Sequence, residues 1–143
     1  MELQIKANTL EVVKELKKMT RRQSAIEKAL NRVSNMAMFM ITKRTQSGKL
    51  PDGGLMKPYA RSTIKSRKKR GRQIGFVDLK DSGKMWRNLT YEVKGLKSSL
   101  FFRGGDYDKI ASYHDVFGAG RKKVVRPFFS IGNKEEDKIK QDF

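Results

Sequence analysis

His114 and Asp115, an adjacent imidazole and carboxylate, are the residues of this chain best suited to chemistry. Such a pair can work as a base with its orienting acid, or can ligate a metal. Either chemistry needs further groups: several convergent ligands, or a complete set of nucleophile, base and orienter. His114 is the only histidine and cysteine is absent, so neither a second imidazole nor a thiol is on hand. Neighbouring positions on a helix also point about 100° apart, which turns the two side chains away from each other. The carboxylates Asp78, Asp81, Asp106 and Asp108 could form an acidic metal cluster, yet their spacing fits no known metal loop and two of them read as turn or helix caps. The expectation is no enzyme, no metal and no cofactor.

A second chemistry lies in the segment from Lys57 to Arg72. It holds Lys57, Arg61, Lys65, Arg67, Lys68, Lys69, Arg70 and Arg72 and no acid. Cations at this density contact phosphates with a steep salt dependence, or they solvate a surface loop. Only Tyr59 and Phe76 flank the run, so base stacking of the single-strand type has little support. Like charges so close repel one another, and the reading is a flexible basic loop over about residues 57–75, with one helical turn around Ser62 to Ser66, that contacts DNA or a partner.

Apolar residues supply interface candidates. Met36 and Met40 fall on a helical stripe, whereas Met38 and Phe39 fall off it and point to a partner or a second layer. Arg126-Pro127-Phe128-Phe129 reads as an edge strand. Its two phenylalanines face opposite sides, one toward the core and one toward a neighbouring subunit, while the proline blunts the edge.

Composition bounds the rest. The chain has 143 residues, 37% of them hydrophobic and 34% charged. That suits one domain with a lean core. Lys and Arg number 33 against 15 Asp and Glu, a formal net charge of +18. Nucleic acid, an anionic membrane or an acidic protein surface would neutralise such a surplus. The sequence shows neither an apolar run of about 18 residues nor a signal-peptide core, so neither a membrane span nor export is expected.

The elements that must position these residues read as α+β. Met1 to Lys6 alternates as a short edge strand. Leu10, Val13, Leu16 and Met19 follow helical spacing behind Asn8 or Thr9. Thr20 and Gln23 form a capping box, and the stripe Ile26, Ala29, Leu30, Val33, Ala37, Met40, Ile41 runs to about Gln46, where Gly48 ends the longest helix. Pro51-Asp52-Gly53-Gly54 is a turn. Asp81-Ser82-Gly83 opens a short helix over Lys84 to Asn88. Leu89, Tyr91 and Val93 alternate as a strand, and Leu100-Phe101-Phe102 begins its antiparallel return. A helix over Asp106 to Phe117, a strand over Val124 to Ile131 and a last helix capped by Asn133 complete one domain: a long helix on a small, mostly antiparallel sheet.

The order of motifs resembles the tail-completion and minor tail proteins of long-tailed bacteriophages, also called virion morphogenesis or head-tail joining proteins. The residues that carry it are Pro51-Asp52-Gly53, Pro58-Tyr59-Ala60-Arg61-Ser62-Thr63-Ile64, Leu79-Lys80-Asp81-Ser82-Gly83-Lys84-Met85, Ile110-Ala111-Ser112-Tyr113-His114-Asp115-Val116-Phe117-Gly118, and Arg126-Pro127-Phe128-Phe129 with the helix after it. It spans about residues 25–143 by motif order. The chain departs from the pattern at Arg67 to Arg72, which is longer and more charged.

The resemblance implies a non-enzymatic virion protein that forms a ring, usually six-fold, at the head-proximal end of the tail. Its partners would be copies of itself, the tail tube protein and the head-tail connector, around a channel for double-stranded DNA. It would reside in the virion, and in host cytoplasm during assembly, with no membrane contact. The alternative is a basic nucleic-acid-binding module acting as a monomer or dimer.

Overall fold

In a computed structural model of the protein, residues 1–6 and 23–142 are described. The helix expected from Leu10 to Met19, and Thr20 of the capping box, lie outside them. The described elements are β1 (Glu2–Lys6), α1 (Gln23–Gln46), α2 (Arg61–Lys69), α3 (Lys84–Arg87), β2 (Leu89–Lys94), β3 (Lys97–Phe102), α4 (Gly105–Ser112), a π-helical turn (Tyr113–Phe117) and α5 (Asn133–Gln141). The fold is α+β.

The sheet is antiparallel in the order β1-β3-β2. Leu3 and Tyr91 both face Leu100 across β3, and Leu89 faces Phe102, so alternate residues line one face. That face meets α1, because successive strand side chains point to opposite sides. The expected hairpin is present, with Gly95 at φ +58° leading the two-residue connection.

Helix α1 buries Leu30, Val33, Ser34, Ala37, Ile41 and Thr45. The stripe is slightly rotated from the expected one: Met40 is half-buried, and two hydroxyls enter the seam. Ser34 Oγ donates to Leu30 O at 2.6 Å and hydrogen-bonds Ser98 Oγ on the sheet, which satisfies these two serines, whereas the buried Thr45 hydroxyl has no hydrogen-bond partner. Gly48 at φ +78° ends the helix, with Lys49 N–H reaching Arg44 O at 3.2 Å and Gly48 N–H reaching Thr45 O at 2.9 Å. These paired bonds are a Schellman cap. The core joins α1 to Met56, Val77, Leu79, Met85, Leu100, Phe102, Phe128 and Phe129. Rings pack edge-on within it, Trp86 lying 5.6 Å from Phe128 and 6.1 Å from Phe102.

Three local expectations are corrected. Val124 to Ile131 is not a strand: Val124 makes one isolated bridge with Ala119, and beyond it backbone groups are taken by side chains and by the π turn, Arg126 N–H donating to His114 O at 2.7 Å and Arg44 taking the carbonyls of Phe128 and Ser130. The α-helix expected up to Phe117 stops at Ser112 and widens into the π turn. Asn133 is the first helical residue of α5 rather than its cap; Gly132 holds the cap position, and Glu135 accepts from its N–H at 2.9 Å.

Candidate functional site

The basic segment is helical over Arg61–Lys69, so the expected single turn at Ser62 to Ser66 is part of a longer helix where a flexible loop was expected. The repulsion within it is offset by acids from just beyond it. Arg67 is buried at 4% exposure and meets the Asp78 carboxylate at 2.9 and 3.2 Å. Arg67 also donates to Gln73 O and Lys80 O. Arg70 and Arg72 lie 2.7 and 3.7 Å from the exposed carboxylate of Asp81. Arg67 is therefore a structural residue, and its guanidinium is turned away from any partner. Arg61, Lys65, Lys68 and Lys69 are exposed, and at 100° per residue they share the outer side of α2. Lys57 is exposed too, and its carbonyl accepts from Arg126.

Tyr59 links this helix to the rest. Its hydroxyl donates to Asp78 Oδ1 at 3.0 Å and accepts from Leu79 N–H at 3.1 Å. Burial and the neighbouring Asp78 charge push the phenol pKa up, so the hydroxyl keeps its proton. The Arg67 guanidinium lies 4.7 Å from the ring centroid and that of Arg126 5.6 Å, both within cation–π range. Leu79 sits at φ +48°, a conformation costly for a leucine. Its amide bond to Tyr59, and the 2.9 Å bond from Trp86 Nε1–H to its carbonyl, hold it there.

His114 and Asp115 diverge and do different work. Asp115 Oδ1 accepts from the amides of Phe128 and Phe129 at 2.8 and 2.7 Å. His114 is mostly buried, and its Nδ1 has no hydrogen-bond partner. Burial first, and the Arg126 charge second, depress its pKa to about 4. The imidazole is neutral at physiological pH. Of the four aspartates, Asp78 and Asp81 hold the arginines described above, and Asp108 pairs with the Met1 amino group. No group of three or more candidate metal ligands occurs among the described residues.

The interface candidates divide. Phe39 is 64% exposed, with Lys43 Nζ 5.6 Å from its ring centroid. Met38 packs against the core. Arg126 is buried and donates to Lys57 O and Pro58 O at 2.8 and 2.9 Å. Phe128 and Phe129 are both buried, so neither is left for a neighbour: without a strand, the alternation that would separate them does not apply. Pro127 alone of this run is exposed. Ile110, Tyr113, Val116 and Phe117 were not foreseen as surface; they line one side of α4 and the π turn.

Between α2, α3 and α4 lies a cleft of about 400 Å³, lined by Tyr59, Leu79, Met85, Trp86, Tyr107 and His114 among others. The sequence offered one signal for it, the chain's only tryptophan, just after the Ser82-Gly83 turn. No helix among the described residues is long and apolar enough to cross a membrane. No protein-family model, curated protein or solved structure matches the chain.

Proposed function

We propose that this protein is a structural component of a long-tailed phage virion, a tail-completion or head-tail joining subunit that forms a ring around the DNA channel. One observation carries the reading. Four of the five motifs behind the resemblance fold into one polar joint: Tyr59 on Leu79, Arg126 on Pro58, and Asp115 on Phe128 and Phe129. Residues that could do chemistry here hold backbone in place, as a shape-bearing subunit requires. Exposed Phe39, Leu55, Tyr113 and Phe117 on so small a body favour burial against neighbours. A closed ring would satisfy such faces. The exposed cations of α2 suit the channel's DNA or an acidic neighbouring ring.

Mass photometry and electron microscopy of the purified protein, alone and with tail tube and connector proteins, test this. Closed rings are expected. A persistent monomer that binds duplex DNA tightly, with a steep salt slope, would replace the reading with that of a nucleic-acid-binding module.

A further inference from the structure

The cleft beside α3 has a mixed character that the ring reading does not use. Its floor is apolar, built by Leu79, Met85, Trp86 and Tyr107, and its rim carries the exposed Ile110 together with Arg70, Lys80 and Lys84. Asp81 is the rim's one acid, and Arg70 and Arg72 already engage it. Lys80 and Lys84 are exposed and make no ion pair among the described residues. At about 400 Å³ the space is at the small end for a ligand site. That is room for an apolar side chain and its flanking backbone rather than a large cofactor.

We infer that this cleft is a docking site for an acidic segment of a partner protein, which inserts one apolar side chain between Trp86 and Ile110 and sets its carboxylates against Lys80 and Lys84. Charge complementarity selects the acid, because the rim is cationic on a chain of net charge +18. The floor selects the apolar anchor, since a desolvated pocket takes most of its binding energy from one well-packed side chain. A nucleotide base fits less well. Trp86 Nε1–H is engaged by Leu79 O, and the Tyr59 hydroxyl by Asp78 and Leu79, so few polar groups remain to read a base edge. The inference needs only the cleft and holds whether or not the subunits form rings.

Trp86, the chain's only tryptophan, is a built-in reporter. Full-length protein is titrated with a blocked ten-residue peptide of Asp and Glu carrying one central Leu, and with the same peptide carrying Gly instead. The leucine peptide is expected to change Trp86 fluorescence saturably and to bind about tenfold more tightly than the glycine peptide. Ile110→Glu and Lys84→Glu, both at exposed positions, should each weaken it by about tenfold with the circular dichroism spectrum unchanged. The absence of a saturable change, equal binding of the two peptides, or indifference to both substitutions overturns the site. Displacement of the leucine peptide by a nucleoside monophosphate overturns the choice of occupant. Ring formation by the same sample is read separately and bears only on the virion proposal.

Discussion

One carboxylate oxygen of Asp115 holds the backbone amides of Phe128 and Phe129 together, at 2.8 and 2.7 Å. Both phenylalanines are buried, so these amides have no water to fall back on. Asp115→Ala leaves two donors unsatisfied at about 1–3 kcal/mol each, and a net loss near 3 kcal/mol is expected in urea denaturation. Asp115→Asn keeps a carbonyl acceptor at the same place and should lose about half as much. Equal losses for the two substitutions would mean that the charge, not the pair of hydrogen bonds, matters.

Arg67 and its neighbours on α2 should behave oppositely despite their common charge. Removing Arg67 strands the buried Asp78 carboxylate, and breaking a buried pair costs about 3–5 kcal/mol. Arg67→Ala is therefore expected to lower stability by roughly that amount. Lys65→Ala and Lys68→Ala, on the exposed side, should stay within about 0.5 kcal/mol. A duplex DNA titration should show the reverse ranking among folded variants, each lysine lost reducing the salt slope by about one. If the lysines mattered for stability and Arg67 did not, the burial of Arg67 would be wrong.

How much of this was legible in the sequence depends on the range of the interaction. The stripe Leu30, Val33, Ala37, Ile41 and the Gly48 cap are local, and so is the alternation Leu89, Tyr91, Val93. Periodicity and turn chemistry reveal them directly. Pairing across sequence distance stayed hidden. The run Lys57 to Arg72 holds no acid, so nothing within it foretells that Asp78 and Asp81 neutralise its arginines and permit a helix. Phe128 and Phe129 read as alternating strand positions until Asp115 and Arg44 are seen to replace the ladder. The motifs quoted for the resemblance were singled out as a set, but only folding shows that they touch.

His114 makes stability pH-dependent. Its pKa falls from 6.5 to about 4 in the fold, chiefly through burial and secondarily through Arg126. The unfolded chain thus binds a proton more readily, and stability rises with pH between these values. The contribution is complete above about pH 6.5 and is lost progressively as pH falls toward 4, by up to about 3 kcal/mol. Urea midpoints measured from pH 7.5 to 4.5 should decline accordingly. In His114→Gln that part of the decline should vanish, leaving only the carboxylate contribution at the acid end. An unchanged slope in the variant would place the effect elsewhere.

Gly132 is required for space and not for backbone freedom. Its φ of −82° and ψ of 159° suit any residue. A Cβ there would stand 2.1 Å from Pro51 O, a backbone atom that cannot swing aside as a side-chain tip would. Gly53, in the same turn as Pro51, is the opposite case, with φ +89° and nothing near its missing Cβ. Gly53→Ala should therefore cost only the left-handed strain of about 1–2 kcal/mol. Gly132→Ala must push the Pro51 turn away from the start of α5, and overpacking of this kind costs about 1–3 kcal/mol. The two losses can match in size, so the discriminating measurement is local. In Gly132→Ala, amide hydrogen exchange should accelerate along α5 and around the Arg44–Glu135 ion pair that ties this helix to α1. In Gly53→Ala, exchange in α5 should track only the global change in stability. Protection of α5 left intact in Gly132→Ala would show that the turn and the helix are not in contact there.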